Sequence, residues 1–421
     1  MASDLHLQEL ERQYVSLEPR EAEYLLARHS QHVGLRRAGE AREAWLLAAR
    51  QFCGTIPMAG GRRLTMEPKA RVGSLWSLLA HAPELAMVLP HTARHGVTAR
   101  DPAGVAAVFV TQVQRLLKRG LARGYREHRE NLSSPRGRLL VGEQLRVNVA
   151  RPQRFACEFT ELGLDIPENR LLAGALEVAE GVAGHLSHLH AGIRELRRAL
   201  GGVKPAVCLT TRPLRLRPGR EHYRAPLALA ELLLAAVGRT PVRGPRTVPA
   251  VLVEMPQLFE RFACRVLADG LEQGLTVRST GHSVALDADG RALLTPDALI
   301  QRGRRPVAVV DAKYKTVAEA TPDAAPGPAD LYQMLAYCVG YGVSDAVLVY
   351  PQPVTIQPLR IEREGPLVRI HCLGLDLSGD GRAIYDECAL LCRRIGRIIA
   401  RAGDRVTPIS HQAPLMAPGR V

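Results

Sequence analysis

Apolar residues recur every three or four positions from Pro102 through Arg126, and again over a longer stretch from Asn169 to Leu200. That period puts one stripe of a helix against a core, so both stretches are expected to be helical. Between them, turn residues flank short apolar runs in Pro135-Arg136-Gly137-Arg138-Leu139-Leu140-Val141-Gly142, which predicts a strand or hairpin. Residues 1 to about 50 alternate charged and aliphatic side chains at helical spacing, and Arg62 to Pro68 reads as a short strand after a Gly60-Gly61 turn. The opening segment is thus expected to be a small mixed unit. Residues 201–250 are rich in Pro, Gly and Arg around one apolar helix at about 226–237, which is linker chemistry and puts the main boundary near 246.

Beyond that boundary the pattern changes. Pro256 to Gly270 has Pro at its start and Gly at its end, and offers Phe259, Phe262, Ala263, Val266 and Leu267 as an apolar stripe. Strands are expected at about 275–286, 291–300 and 306–314, with Asp287-Ala288-Asp289-Gly290 as a hairpin turn. A helix at about 329–341 and a buried strand, Ala346-Val347-Leu348-Val349-Tyr350, complete the order α-β-β-β-α-β. No period of 20 to 50 residues repeats, which excludes solenoids and propellers. The expected domains are 1–100, mixed α/β; 101–245, mainly helical with a short hairpin; 246–403, an α/β unit; and a frayed polar tail at 404–421.

A chain of 421 residues has room for two or three domains, and 46% hydrophobic against 23% charged residues excludes wholesale disorder. The net charge of +14 points to a polyanionic partner, most often nucleic acid, although an arginine-rich surface alone has the same composition. Position has to decide. Only five lysines stand beside 51 arginines, and two of the five fall together in Asp311-Ala312-Lys313-Tyr314-Lys315. A compact ammonium retained where arginine is otherwise used has a task that a planar guanidinium cannot perform. The eight cysteines, Cys53, Cys157, Cys208, Cys264, Cys338, Cys372, Cys388 and Cys392, form no C-x-x-C pair and read as reduced core residues. Cys388 and Cys392 lie one helical turn apart, but no second Cys or His pair accompanies them as a metal site requires. The N-terminus is polar and acidic and no apolar run nears the roughly 20 residues of a membrane span, so no membrane partner and a cytoplasmic address are expected.

On a strand, Asp311 and Lys313 face one way and Ala312 and Tyr314 the other. The run Val307-Ala308-Val309-Val310 suits a buried central strand and sets the carboxylate and ammonium at its end, where sheet sites usually lie. A divalent cation would offset the burial of that acid. Asp297, in Thr295-Pro296-Asp297-Ala298 on the neighbouring strand, supplies a second carboxylate, and Glu260, on the edge of the helix stripe, a third. Mg²⁺ prefers such hard oxygen ligands, keeps several waters, and can activate water against a phosphate diester, with Lys313 stabilising the transition state or placing the water. Gln333 and Tyr337 are four apart and share a helix face. An Asp and a Lys two apart on a strand are more often a surface pair, so the weight rests on the joint pattern.

That joint pattern resembles the core of the PD-(D/E)xK nuclease superfamily, with Glu260, Asp297, Asp311 and Lys313 at its motif positions and Gln333 and Tyr337 matching a Gln-x-x-x-Tyr found in many of its members. Met255-Pro256-Gln257-Leu258-Phe259-Glu260, Thr295-Pro296-Asp297, Val310-Asp311-Ala312-Lys313-Tyr314-Lys315 and Asp330-Leu331-Tyr332-Gln333-Met334-Leu335-Ala336-Tyr337 together resemble the McrC family, the nuclease subunits of McrBC systems that restrict DNA carrying 5-methylcytosine. Leu64-Thr65-Met66-Glu67-Pro68-Lys69, Gly137-Arg138-Leu139 and Asp165-Ile166-Pro167-Glu168-Asn169-Arg170-Leu171-Leu172 are similar to upstream segments of that family, so the resemblance runs from about residue 50 to 400.

The resemblance implies an α+β multidomain fold ending in a restriction-endonuclease-like domain on a mixed central sheet, and a Mg²⁺-dependent DNA endonuclease of a restriction system. Asp297, Asp311 and Glu260 would hold metal, Lys313 would act with them, and Gln333, Tyr337 and Lys315 would organise the site or touch DNA. The N-terminal region, 1–100, would dock on a hexameric AAA+ GTPase of the McrB type and stimulate it. The sequence contains no G-x-x-x-x-G-K-[ST], so GTP is expected on that partner and not on this chain. A second copy of the chain on DNA is a further candidate partner. The competing readings are a regulatory adaptor with a silent nuclease fold, and a stand-alone DNA repair nuclease.

Overall fold

The computed structural model describes residues 4–38, 44–58, 62–95, 102–183, 186–206, 216, 218–237, 246–315, 326–354, 356–362 and 367–403. The expected Gly60-Gly61 turn, Cys208, the Pro/Gly/Arg stretch at 239–245 and the tail from 404 lie outside the described residues. Two compact units emerge, Met1–Glu67 with Trp76–Val253, and Pro68–Leu75 with Glu254–Val421.

The first unit runs through β1 (Leu5–Gln8), β2 (Arg12–Ser16), α1 (Pro19–His29), β3 (Val33–Arg37), β4 (Ala44–Ala49), β5 (Phe52–Pro57), β6 (Arg63–Glu67), α2 (Leu75–His81), β7 (Met87–His95), α3 (Pro102–Arg119), β8 (Gly124–Leu132), β9 (Arg138–Leu139), α4 (Val141–Val147), β10 (Phe155–Gly163), α5 (Pro167–Val182), α6 (Ser187–Ala199), α7 (Arg224–Ala236) and β11 (Arg246–Glu254). Among the described residues of 1–50 the helical spacing holds only for α1, and the other regular elements are strands. In β4, Trp45, Leu47 and Ala49 are buried and the residues between them half-buried, a period of two that the uniformly apolar run Ala44–Ala49 conceals. One sheet has the order β2-β4-β3 and another the order β1-β6-β5-β11-β7. Their shared core includes Leu7, Val15, Leu25, Leu47, Ile56, Leu64, Met66 and Leu252. The buried Glu21 carboxylate of α1 accepts from the Arg62 guanidinium at 2.9 Å and from Glu18 N–H at 3.0 Å, so the start of β6 is tied to α1.

Helices α3, α5, α6 and α7 pack on one another. The helix expected from Pro102 to Arg126 stops at Arg119, where Gly120 turns at φ 93° before β8 begins. The residues of the Asp165–Leu172 motif have structural tasks here. Asp165 holds Arg170 at 2.6 and 2.7 Å and accepts from Arg126, and these partners, Arg170 foremost, hold its carboxyl near 2. Glu168 pairs with Arg220 at 2.6 Å. Asn169, fully buried, donates to Ala122 O and Leu164 O and accepts from the Tyr223 hydroxyl, which itself accepts from Ala122 N–H. The expected hairpin near 135–142 is β9 beside β10, while β8 pairs with β10 along nine residues of antiparallel ladder. Around this β8-β10-β9 sheet and α4, Tyr125, Leu139, Val141, Leu145, Val147, Val149 and Leu162 are all exposed.

The second unit comprises α8 (Met255–Gly270), β12 (Leu275–Arg278), β13 (Val284–Ala285), β14 (Leu293–Leu294), β15 (Ala298–Arg302), β16 (Arg305–Ala312), α9 (Pro328–Tyr341), β17 (Asp345–Tyr350), β18 (Leu359–Ile361), β19 (Val368–Gly374) and α10 (Gly381–Gly403). The expected order α-β-β-β-α-β is present, with two strands divided. The strand expected at 275–286 breaks into β12 and β13 around Gly281, at φ 63°. The one at 291–300 breaks into β14 and β15 at Thr295-Pro296, where proline has no N–H for a ladder. The main sheet is mixed, in the order β12-β15-β16-β17-β19-β18, with β16, β17 and β19 mutually parallel and the outer pairs antiparallel. Parallel neighbours need a crossover, and α9 supplies it between β16 and β17. Every residue of β17 is buried.

All seven described cysteines are buried. No described helix is long and apolar enough to cross a membrane. Gly54, at φ 127°, passes so close to β11 that an added Cβ would lie 1.9 Å from Val251 O. Gly54→Ala is therefore expected to destabilise the first unit by at least about 2 kcal/mol, read as a lowered midpoint in thermal or urea unfolding. An unchanged midpoint would contradict the packing of β5 against β11.

Candidate active site

Strand β16 carries the constellation. Val309 and Val310 are buried in the sheet, which leaves Asp311 at 2% exposure near the strand's end. Burying an unpaired carboxylate costs several kcal/mol, so it must have partners. Lys313 is one: its backbone N–H still follows the sheet to Val349 O at 2.8 Å, and its ammonium pairs with Asp311 Oδ2. That oxygen has no other hydrogen-bond partner. Lys313 Nζ also donates to Gln333 Oε1 at 2.8 Å, Gln333 Nε2 donates to the Tyr337 hydroxyl at 2.8 Å, and that hydroxyl donates to Thr295 O at 3.1 Å. One chain of contacts thus runs from the carboxylate through the ammonium and two α9 side chains to the segment before Asp297.

Asp297 precedes β15, whose register sets Ala298 opposite Val310, and so it stands level with Asp311 on the adjacent strand. Its Oδ2 accepts from Ala312 N–H at 2.7 Å, and its carbonyl accepts from Cys264 Sγ at 3.3 Å. Burial first, then the nearby Asp311 charge, pushes the Asp297 carboxyl up to about 7. Glu260, half-buried on α8, is raised by burial and by Asp311. Burial, with Asp311 and Asp297 adding to it, pushes Tyr337 up to about 12, so its hydroxyl keeps the proton it donates.

Glu260, Asp297, Asp311, Lys313, Gln333 and Tyr337 therefore form one neighbourhood. Lys315 stands apart: its exposed ammonium reaches both oxygens of buried Asp330 at 2.9 and 3.0 Å. Asp330 had no role in the sequence reading, because an acid in the first turn of a helix is already explained by the helix dipole. Lys69 was also missed. It belongs to the segment Pro68–Leu75, which joins the second unit through Gly73 N–H to Leu377 O at 2.7 Å, and its ammonium lies 4.9 Å from the centroid of the buried Tyr314 ring. Nothing in the sequence links positions more than 240 residues apart.

The donor set for a metal is hard oxygen. Among the described residues no group of three or more His, Cys, Asp or Glu side chains is gathered as a metal cage. The crowding of Asp297 and Asp311, and an Asp311 Oδ2 met by the Lys313 ammonium alone, suit an ion that uses one or two carboxylates and retains water, which is the habit of Mg²⁺.

A family model described as McrBC 5-methylcytosine restriction system component matches residues 47–351. Among solved structures, the chain is similar to the refined half-complex from a tetradecameric assembly of Thermococcus gammatolerans McrB AAA+ hexamers with bound McrC, at 18% identity over 92% of this chain and 100% of that chain, with a TM-score of 0.42. It is also similar to the cryo-EM structure of the Thermococcus gammatolerans McrBC complex, at 19% identity over 63% of this chain and 87% of that chain, with a TM-score of 0.29. No curated protein matches it significantly.

An Asp raised in the folded protein keeps its proton where the unfolded chain has lost it. The stability this gives is full below its ordinary value of 3.8 and disappears as pH rises through about 7. Asp297→Asn, which preserves an acceptor for Ala312 N–H, is thus expected to melt a few °C above the parent protein at pH 8 in chelator, roughly the effect of 1 kcal/mol. The gap should close toward pH 4. A variant less stable than the parent at pH 8 would show that Asp297 is not held against its charge.

Proposed function

This chain belongs to the family of McrBC 5-methylcytosine restriction system components, and on that footing we propose that its second unit is a PD-(D/E)xK nuclease that hydrolyses DNA phosphodiesters with Mg²⁺. The observation that carries the reading is the pairing of Asp311 with Lys313 at the end of a buried parallel strand, level with Asp297. A purely structural ion pair would not need a second carboxylate crowded against it at the cost of its own ionisation.

Asp311 and Asp297 would hold the cation, which supplies Lewis-acid charge and lowers the pKa of a water when bound. Lys313, held by Asp311 and Gln333, would meet the negative charge that develops on the phosphate. Gln333 and Tyr337 are positioning residues that fix the ammonium. Glu260 would tune the field at the aspartates rather than ligate. Lys315, compensated by Asp330, would contact a DNA phosphate only by sharing its ammonium.

In the same reading an AAA+ GTPase of the McrB kind delivers the DNA, and the first unit docks on it. The exposed apolar positions on and around α4 suit that contact: Val141 and Leu145 lie one turn apart on α4 at 60 and 67% exposure, and Val149, just past the end of the helix, is 77% exposed.

Purified chain with its GTPase partner, GTP, Mg²⁺ and methylated DNA tests both halves. Asp311→Ala and Lys313→Ala are each expected to lower cleavage at least about 100-fold while stimulated GTP hydrolysis persists. Cleavage that survives Asp311→Ala while GTP hydrolysis still rises would replace the nuclease reading with that of an adaptor. Leu145→Asp is expected to reduce GTPase stimulation about tenfold or more without lowering the melting temperature, and unchanged stimulation would move the docking surface elsewhere.

A further inference from the structure

The three-stranded sheet β2-β4-β3 lies almost wholly before the matched region, which begins at residue 47. One face packs into the core through Val15, Trp45, Leu47 and Ala49. Alternation assigns the opposite face to Arg12, Tyr14 and Ser16 on β2, Ala44, Leu46 and Ala48 on β4, and Gly34 and Arg36 on β3. The register lines up Tyr14 with Leu46 and Leu46 with Arg36, and in the next row Arg12 with Ala48 and Ala48 with Gly34.

This face has three properties together. Tyr14 is 77% exposed, far more than a ring on a sheet usually leaves to water. Arg12 and Arg36 are exposed, and neither has an ion-pair partner among the described residues. None of the eight outward positions carries a carboxylate, and those between the ring and the cations are small or aliphatic, so the shelf is flat and positive. Strand geometry places Arg36 about 10 Å across the sheet from Tyr14, and Arg12 about 7 Å along the strand. Cations alone would serve a duplex, whose bases are already stacked. A bare ring between cations serves a base with a free face, because stacking contributes about 1–3 kcal/mol per base and phosphates supply the counter-charge.

We propose that the outward face of β2-β4-β3 is a binding site for single-stranded nucleic acid, with a base stacked on Tyr14 and the flanking phosphates on Arg12 and Arg36. This second nucleic-acid contact is separate from the cutting site and does not require it to be active.

The test uses the full chain in chelator, where no cleavage occurs, and three labelled probes of equal length: oligothymidylate, the same backbone without bases, and a duplex. Tyr14→Ala is expected to weaken oligothymidylate binding by about 5- to 100-fold and to leave the abasic strand and duplex unchanged. Tyr14→Phe should bind within about twofold of the parent, since the ring and not the hydroxyl does the stacking. Arg12→Ala with Arg36→Ala should weaken both single strands and flatten their salt dependence. Bromodeoxyuridine in the strand should crosslink to the peptide containing Tyr14. Unchanged oligothymidylate binding in Tyr14→Ala, or an equal loss on the abasic strand, overturns the proposal. So does a variant that keeps its nucleic-acid binding but changes self-association or partner GTPase stimulation, which would make the face a protein interface. Every readout is binding in chelator and none depends on cleavage, so a failed nuclease reading leaves this outcome legible.

Discussion

An ammonium held between the Asp311 carboxylate and the Gln333 amide sets the requirements that the rest of the second unit meets. The carboxylate can be buried at 2% exposure only because the ammonium comes with it. The ammonium stays in place because α9 crosses over between β16 and β17 and brings Gln333 within reach, with Tyr337 one turn on tethering that amide to Thr295 O. The crossover is itself imposed by the parallel pairing of β16 with β17. Sheet order, helix placement and charge placement are therefore one constraint seen at three scales.

The same neighbourhood carries a stability cost. Asp297 is pressed against Asp311 until its carboxyl resists ionisation, and Glu260 is pushed in the same direction. By contrast, Asp345 is buried more deeply in the same sheet but is matched by Arg369 at 2.6 and 2.8 Å and by His371 at 2.8 Å, and is lowered. One buried acid is fully compensated and the other cluster is left in deficit. Perturbed groups of the second kind concentrate where chemistry is done.

The second unit was largely legible in the sequence because its elements are separated by strong punctuation: Pro256 and Gly270 bound α8, and an uninterrupted Val/Ala run marks β16. Four of its site positions could be read from spacing on a strand and a helix, since Asp311 and Lys313, and Gln333 and Tyr337, are local pairs. The first 50 residues misled because short apolar runs such as Ala44–Ala49 have no period of their own and took their burial alternation from partners far along the chain. Lys69 and Tyr314, and Lys315 and Asp330, were illegible for the same reason: no local rule joins them. The engagement of Lys315 by Asp330 also shows that an exposed lysine beside a site is not automatically uncommitted charge.

The segment Pro68–Leu75 passes into the second unit and returns, after which the chain completes most of the first unit before crossing again at Glu254. The polypeptide thus makes three passages between units where a simple tandem arrangement would make one. A C-terminal fragment started anywhere after residue 75 would leave Leu377 O without the Gly73 amide and the Tyr314 ring without its cation. The two halves are consequently not separable pieces of a modular protein: the second unit on its own is complete only with the eight residues Pro68–Leu75 from the other side of the first.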